Sequence, residues 1–118
     1  PSLEARETLM RTIRNFKPDV IFTNRACDYH PDHRATGQLV QDCSYLMGVP
    51  AICPDTPVLR KTPTILYWAD GFTDPKPFRS DFARPADDDR ETLFHVECCH
   101  ASQFLDWLPW QMTSGSRR

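Results

Sequence analysis

The sequence predicts an α/β protein, a Rossmann-like three-layer sandwich with a mostly parallel sheet. Three observations support this prediction. An amphipathic helix over about residues 3–16 is followed by a short strand over residues 19–23 and by a second helix that ends near residue 47. The strand is apolar at consecutive positions, which is typical of a strand buried on both faces of a parallel sheet. The order helix, strand, loop, helix is typical of one layer of such a fold.

Both predicted helices have recognisable ends. Ser2 is suited to cap the N-terminus of the first helix, and Pro18 cannot continue it. The second helix begins at about Pro31, which suits the first helical position, and it ends before Gly48 and Pro50. Each helix has an apolar stripe at helical spacing, and the stripe of the first helix consists of Leu9, Met10, Ile13 and Phe16.

The signals are weaker after residue 50. Residues 64–68 are β-branched and aromatic, which predicts a second strand. The proline-rich stretches 50–63 and 71–85 predict irregular structure. A helix is expected over about residues 90–104, and the polar residues 111–118 are expected to form a disordered tail.

The composition argues against several classes of partner. The formal net charge is -2 and the arginines are scattered, so nothing predicts binding to nucleic acid or to an anionic membrane. No apolar run approaches the roughly 20 residues needed to span a bilayer. The five cysteines are odd in number and lack regular spacing, which indicates reduced thiols in a cytoplasmic protein and not a disulfide framework.

The residues most suggestive of chemistry are two histidines in the loop between the first strand and the second helix. His30 and His33 lie three positions apart, just past the carboxyl end of a strand, where α/β proteins place active sites. One imidazole of such a pair can bind a divalent metal while the other contacts the metal-bound substrate. From these residues alone, the alternative is a solvated or capping pair of histidines at a helix N-terminus.

The sequence around these histidines resembles a known family. Residues 28–37, DYHPDHRATG, resemble the second signature motif of the LmbE/PIG-L deacetylases, which hydrolyse N-acetyl groups from amino sugars and related compounds. Residues 17–23, KPDVIFT, and residues 100–103, HASQ, resemble further family segments in the expected order. The resemblance implies a zinc-dependent amide hydrolase that acts on an N-acetylated sugar or glycoconjugate.

The resemblance also implies roles for individual residues. His33 matches a zinc ligand of the family, and His30 matches the histidine that stabilises the oxyanion or protonates the leaving amine. Asp32 would orient an imidazole through its second ring nitrogen and so assist catalysis. Arg25 and Asp28 lie in the loop that would face the substrate, although simple solvation explains their polarity equally well.

One part of the family pattern has no counterpart in this sequence. Family members begin with a strand followed by Ala-His-Pro-Asp-Asp-Glu, which provides two further zinc ligands and the general base, and this motif does not occur here. The chain also opens on Pro1 rather than on Met. We therefore expect residues 1–110 to be the C-terminal part of one deacetylase domain, with a sheet that is incomplete at its N-terminal side. By itself this segment is expected to bind zinc poorly and not to hydrolyse amides.

Two alternatives to a catalytic role stay open at this point. A truncated relative could serve as a binding or assembly module, with the segment from Trp107 to Trp110 as its contact surface. A small structural zinc module could instead use Cys27, His30 and His33 as ligands, with Cys98 or Cys99 as a candidate fourth ligand. The acyl group, the metal used and the oligomeric state do not follow from the sequence.

Overall fold

The structure is a computed structural model that describes residues 2–114. The chain divides into two compact units, with the division between Ser80 and Asp81. The N-terminal unit contains, in order, helix α1 (Leu3–Phe16), strand β1 (Val20–Thr23), helix α2 (Pro31–Leu46) and strand β2 (Thr64–Tyr67). This order confirms the helices and strands that the sequence predicts for this part of the chain.

Helix α1 begins and ends where its sequence signals place it. The Ser2 hydroxyl accepts a hydrogen bond from the backbone N–H of Ala5 at 3.1 Å, which satisfies one of the free amides of the first turn. Lys17 closes the helix in the left-handed region, with φ 55°, and its N–H bonds to the carbonyl of Ile13. The buried face differs from the predicted stripe, because Arg14 is buried beside Ile13 whereas Phe16 is exposed.

Strands β1 and β2 form a parallel pair in which Val20 lies opposite Thr64 and Thr23 lies opposite Tyr67. The predicted parallel pairing is therefore confirmed. The predicted burial of β1 on both faces is not found, because the side chains of Val20 and Phe22 are about half exposed. Successive residues of a strand point to opposite faces, and only the face that carries Ile21 packs against the helical core.

The core of the N-terminal unit lies between α1, α2 and the turn that follows α2. It is formed by five buried apolar side chains, namely Met10, Ile13, Cys43, Met47 and Cys53. The Arg14 guanidinium lies beside this core with 1% of the residue exposed. It donates hydrogen bonds to six backbone carbonyls at 2.7–3.2 Å, those of Leu46, Met47, Val49, Ile52, Cys53 and Thr56. Arg14 therefore stabilises the C-terminal end of α2 and the turn after it.

The second unit contains helices α3 (Arg90–Cys98) and α4 (Leu108–Ser114), joined by a π-helical stretch at Ser102–Trp107. The predicted helix over residues 90–104 is thus interrupted after Cys98. Residues 111–114 of the predicted tail are helical, since α4 continues through them and the Thr113 hydroxyl bonds to the carbonyl of Pro109. Residues 115–118 of that prediction lie outside the described residues. Of the helices in residues 2–114, none is both long and apolar enough to cross a membrane.

Candidate active site

The candidate site lies in the loop that joins the carboxyl end of β1 to the N-terminus of α2. His30 is the N-cap residue of α2, with extended backbone angles of φ -88° and ψ 133°, and Pro31 takes the first helical position. The Nδ1 atom of His30 accepts a hydrogen bond from the backbone N–H of Asp32 at 3.2 Å. The predicted start of the helix is therefore confirmed, and an imidazole serves as its cap.

Asp28 connects both histidines through one buried oxygen. Its Oδ1 accepts the backbone N–H of His30 at 2.8 Å and lies 3.0 Å from Nδ1 of His33, while only 3% of its side chain is exposed. Asp32, which the sequence assigned to orienting an imidazole, has an 87% exposed side chain whose nearest oxygen lies 3.9 Å from Nδ1 of His30. That distance is too long for a hydrogen bond. The carboxylate that contacts an imidazole in this structure therefore belongs to Asp28, and Asp28 faces the histidines and not the solvent.

The two predicted site histidines are brought side by side. The ring centroids of His30 and His33 lie 4.7 Å apart with the ring planes tilted by 34°. The ring of Tyr29 presents an edge-on contact to each of them, at 5.9 Å and 5.6 Å. Both imidazoles are partly exposed, so a ligand can reach them from solvent.

Two further residues of the motif hold this loop against α2. Arg34 donates from Nη1 to the carbonyl of Asp28 at 2.9 Å and to the carbonyl of Tyr29 at 2.8 Å. Gly37 packs directly on the backbone of the loop, and a Cβ at this position would clash with the carbonyl of Asn24. The sequence prediction gave neither residue a role, although both belong to the quoted motif. The position of Arg34 and Gly37 within that motif was the signal in the sequence that could have indicated a structural role for them.

Arg25 is engaged by the segment that follows β2. Its guanidinium forms a two-point ion pair with Asp70, with N–O distances of 2.7 Å and 2.5 Å, and it also bonds to the carbonyls of Phe72 and Lys76. The ring of Phe78 lies 5.5 Å from the guanidinium carbon. The pKa of Asp70 is lowered, chiefly by the hydrogen bond from Arg25. Arg25 was predicted to face the substrate, and here its donors join the loop after β1 to residues 70–78.

The described residues do not contain a complete metal site. Within residues 2–114, no group of three histidine, cysteine, aspartate or glutamate side chains is arranged to hold a metal ion. Structural zinc sites need four ligands and catalytic sites usually need three from the protein. His33 fits the role of one such ligand, because its Nδ1 already faces Asp28 and its Nε2 is left for a ligand.

Comparisons with known proteins agree with these observations. Residues 1–44 match the model of the PIG-L family, described as GlcNAc-PI de-N-acetylase. The chain is also similar to the crystal structure of the conserved protein TT1542 from Thermus thermophilus, with 21% sequence identity and a TM-score of 0.66. That similarity covers 99% of this chain and 51% of the other, so the chain spans about half the length of that protein. The TT1542 structure supports the fold, and the family match confirms the predicted resemblance to the LmbE/PIG-L deacetylases over residues 1–44, the segment that carries His30 and His33.

Proposed function

We propose that this chain is part of a zinc-dependent N-deacetylase that releases an N-acyl group, in the first place acetyl, from an amino-sugar-like small molecule or glycoconjugate. The observation that supports it most strongly is the pairing of His30 and His33 at the N-terminus of α2, within the segment that matches the PIG-L family. The family match supports a deacetylase-like function. Zinc dependence, the N-acetylated substrate and the cytoplasmic location stay predictions.

The proposed activity belongs to a protein with a larger sheet than the described one. We propose that residues 1–110 form the C-terminal part of a single LmbE/PIG-L domain with a three-layer α/β architecture. In such a fold helices cover both faces of the sheet. Two findings support this: the half-exposed apolar side chains of Val20 and Phe22, and the match to about half of the TT1542 structure. Further zinc ligands and a general base would then come from the rest of that domain.

The two histidines would have different roles in the proposed reaction. His33 would bind the metal through Nε2, with its ring held by the Asp28 carboxylate. A bound zinc ion would polarise the amide carbonyl and lower the pKa of a bound water molecule to about 7. His30, whose ring lies 4.7 Å from that of His33, is placed to donate a hydrogen bond to the amide oxygen as negative charge develops there, or to protonate the leaving amine.

The experiment that tests this function is acetate release by the full-length protein from a panel of N-acetylated amino sugars and glycoconjugates, with and without a chelator. We expect activity that is lost on chelation, restored by zinc, and reduced by at least about 100-fold in His30→Ala and His33→Ala. His95→Ala is the matched control, because His95 is a histidine outside the segment that matches the PIG-L family. Absence of metal-dependent acetate release from every substrate of the panel would contradict the proposal.

Zinc binding to the 118-residue chain tests the ligand assignment separately. We expect weak binding that is lost in His33→Ala, because this chain offers one ligand of the proposed site. Tight stoichiometric binding that requires Cys27 would instead indicate the structural zinc module. No ligand set for that module is found within residues 2–114, and the family match does not favour a non-catalytic role.

A further inference from the structure

We propose that Asp28 is a positioning residue which, together with the cap of α2, holds the two site imidazoles in opposite tautomers. His33 would carry its proton on Nδ1 and leave Nε2 unprotonated, whereas His30 would carry its proton on Nε2. This inference rests on the proposed function, since it assigns the two rings their separate tasks there. The sequence predicted that Asp32 orients an imidazole, whereas the inference rests on the contact between Asp28 and His33.

The tautomer of His33 follows from its contact with Asp28. The Oδ1 atom of Asp28 lies 3.0 Å from Nδ1 of His33. A carboxylate oxygen accepts hydrogen bonds and does not donate them, so Nδ1 must carry the proton. Because the carboxylate is buried and also accepts the N–H of His30, its position is fixed by the loop. Nε2 of His33 then keeps the lone pair that a metal ligand requires.

The opposite tautomer of His30 follows from its role as the N-cap. Its Nδ1 faces the backbone N–H of Asp32 at 3.2 Å, and a backbone amide can only donate. Nδ1 must therefore be unprotonated, which places the proton of the neutral ring on Nε2. The Asp32 carboxylate would favour a proton on the same Nδ1, but it lies 3.9 Å away and is mostly exposed, so the backbone amide decides.

The pair therefore offers one lone pair and one N–H donor from rings 4.7 Å apart. These are the two complementary groups that amide hydrolysis at a metal needs, a ligand and a hydrogen-bond donor for the carbonyl oxygen. A half-turn of either imidazole about its Cβ–Cγ bond would break the hydrogen bond that Nδ1 of that ring now makes. For His30 that would be the cap of α2, and for His33 the bond to Asp28.

The test is a long-range ¹H–¹⁵N correlation spectrum of the metal-free chain, recorded at a pH where both imidazoles are neutral. We expect an unprotonated Nε2 signal for His33 and an unprotonated Nδ1 signal for His30. The same tautomer in both rings, or averaged signals from both nitrogens of each ring, would overturn the inference. This readout needs neither metal nor substrate, so a failed deacetylase assay with the expected spectrum would count against the proposed function alone.

Variants identify the residue responsible. Asp28→Ala is expected to abolish the preference of His33 for a proton on Nδ1, and Asp28→Asn, which keeps the shape of the side chain, is expected to weaken it. Asp32→Asn should leave the His33 signals unchanged, because its carboxylate does not contact that ring. An unchanged His33 tautomer in folded Asp28→Ala, which has no side-chain acceptor, would refute the positioning role. Should both variants fail to fold, the wild-type spectrum still decides between opposite and identical tautomers.

Discussion

Replacing Arg14 by methionine is expected to destabilise the N-terminal unit by about 3–5 kcal/mol, because the guanidinium is buried and all its hydrogen bonds go to backbone carbonyls. Methionine keeps much of the length and the apolar stem of arginine but has no donor. The substitution therefore tests the hydrogen bonds more directly than it tests packing. Arg14 stabilises the C-terminal end of α2, and His30 and His33 lie at the N-terminal end of the same helix. The substitution should therefore also destabilise the helix that carries the candidate site.

The size of the expected destabilisation depends on which carbonyls keep a hydrogen-bond donor after Arg14 is replaced. Four of the six carbonyls also accept a backbone N–H, so each of these keeps a partner. The carbonyls of Ile52 and Thr56 have Arg14 as their hydrogen-bond donor within the described residues. A buried carbonyl without a partner costs about 1–3 kcal/mol, and weakening of the other four adds to this. Two such carbonyls cost about 2–6 kcal/mol, and because the bond to Ile52 is only partly buried we expect a loss near the middle of this range, about 3–5 kcal/mol.

The assay is urea unfolding of the 118-residue chain. The free energies of unfolding of wild type and variant are compared, provided that both have the same slope against urea concentration. Arg11→Met is the matched control, because Arg11 lies on the same helix with a 37% exposed side chain and pairs with Glu7 and Asp55 at the surface. Its substitution should have a much smaller effect, as exposed ion pairs contribute little. Arg14→Lys should fall between wild type and Arg14→Met, since an ammonium has three donors. A loss for Arg14→Met no larger than that for Arg11→Met would refute the reasoning.

Three more predictions concern other parts of the N-terminal unit. Gly37→Ala is expected to lower the free energy of unfolding by about 1–3 kcal/mol, because the added Cβ would clash with the loop backbone; this clash outweighs the better helix propensity of alanine. The control in the same urea assay is Gly71→Ala, because the space around that position is open. The lowered pKa of Asp70 means that its ion pair with Arg25 stabilises the fold above the unfolded-state pKa and loses that effect as the pH falls through the folded-state value. The stability advantage of wild type over Asp70→Asn should therefore be full at pH 7 and shrink below about pH 4; an advantage that is constant down to pH 2 would contradict this. The Cys43 thiol is buried, and burial raises its pKa. Its reaction with a thiol reagent should therefore be limited by the rate of unfolding. Labelling of Cys43 in the native protein as fast as that of an exposed thiol would contradict this prediction.

Local signals in the sequence were sufficient for the elements of the N-terminal unit. The cap at Ser2, the stop at Pro18 and the first-turn proline at Pro31 act within a few residues of the backbone they constrain. For that reason the bounds of α1 and α2 were predicted to within about one residue, and β1 and β2 were found where expected. The position of the site at the start of α2 was predictable for the same reason, as was its resemblance to the LmbE/PIG-L family.

The partners of individual side chains were decided by tertiary structure. Arg25 pairs with Asp70, which lies 45 positions away, and Arg14 bonds to carbonyls 32 or more positions away. No local pattern specifies such distant partners. The contact of Asp28 with His33, where the sequence led us to expect Asp32 beside an imidazole, has a different cause. At the start of the helix the Asp32 side chain points to solvent, while the turn before the helix folds Asp28 back onto His33. The sequence by itself determined which residue types meet at the end of β1, and only the folded loop decided which carboxylate faces which imidazole, because that depends on the direction of each side chain in three dimensions.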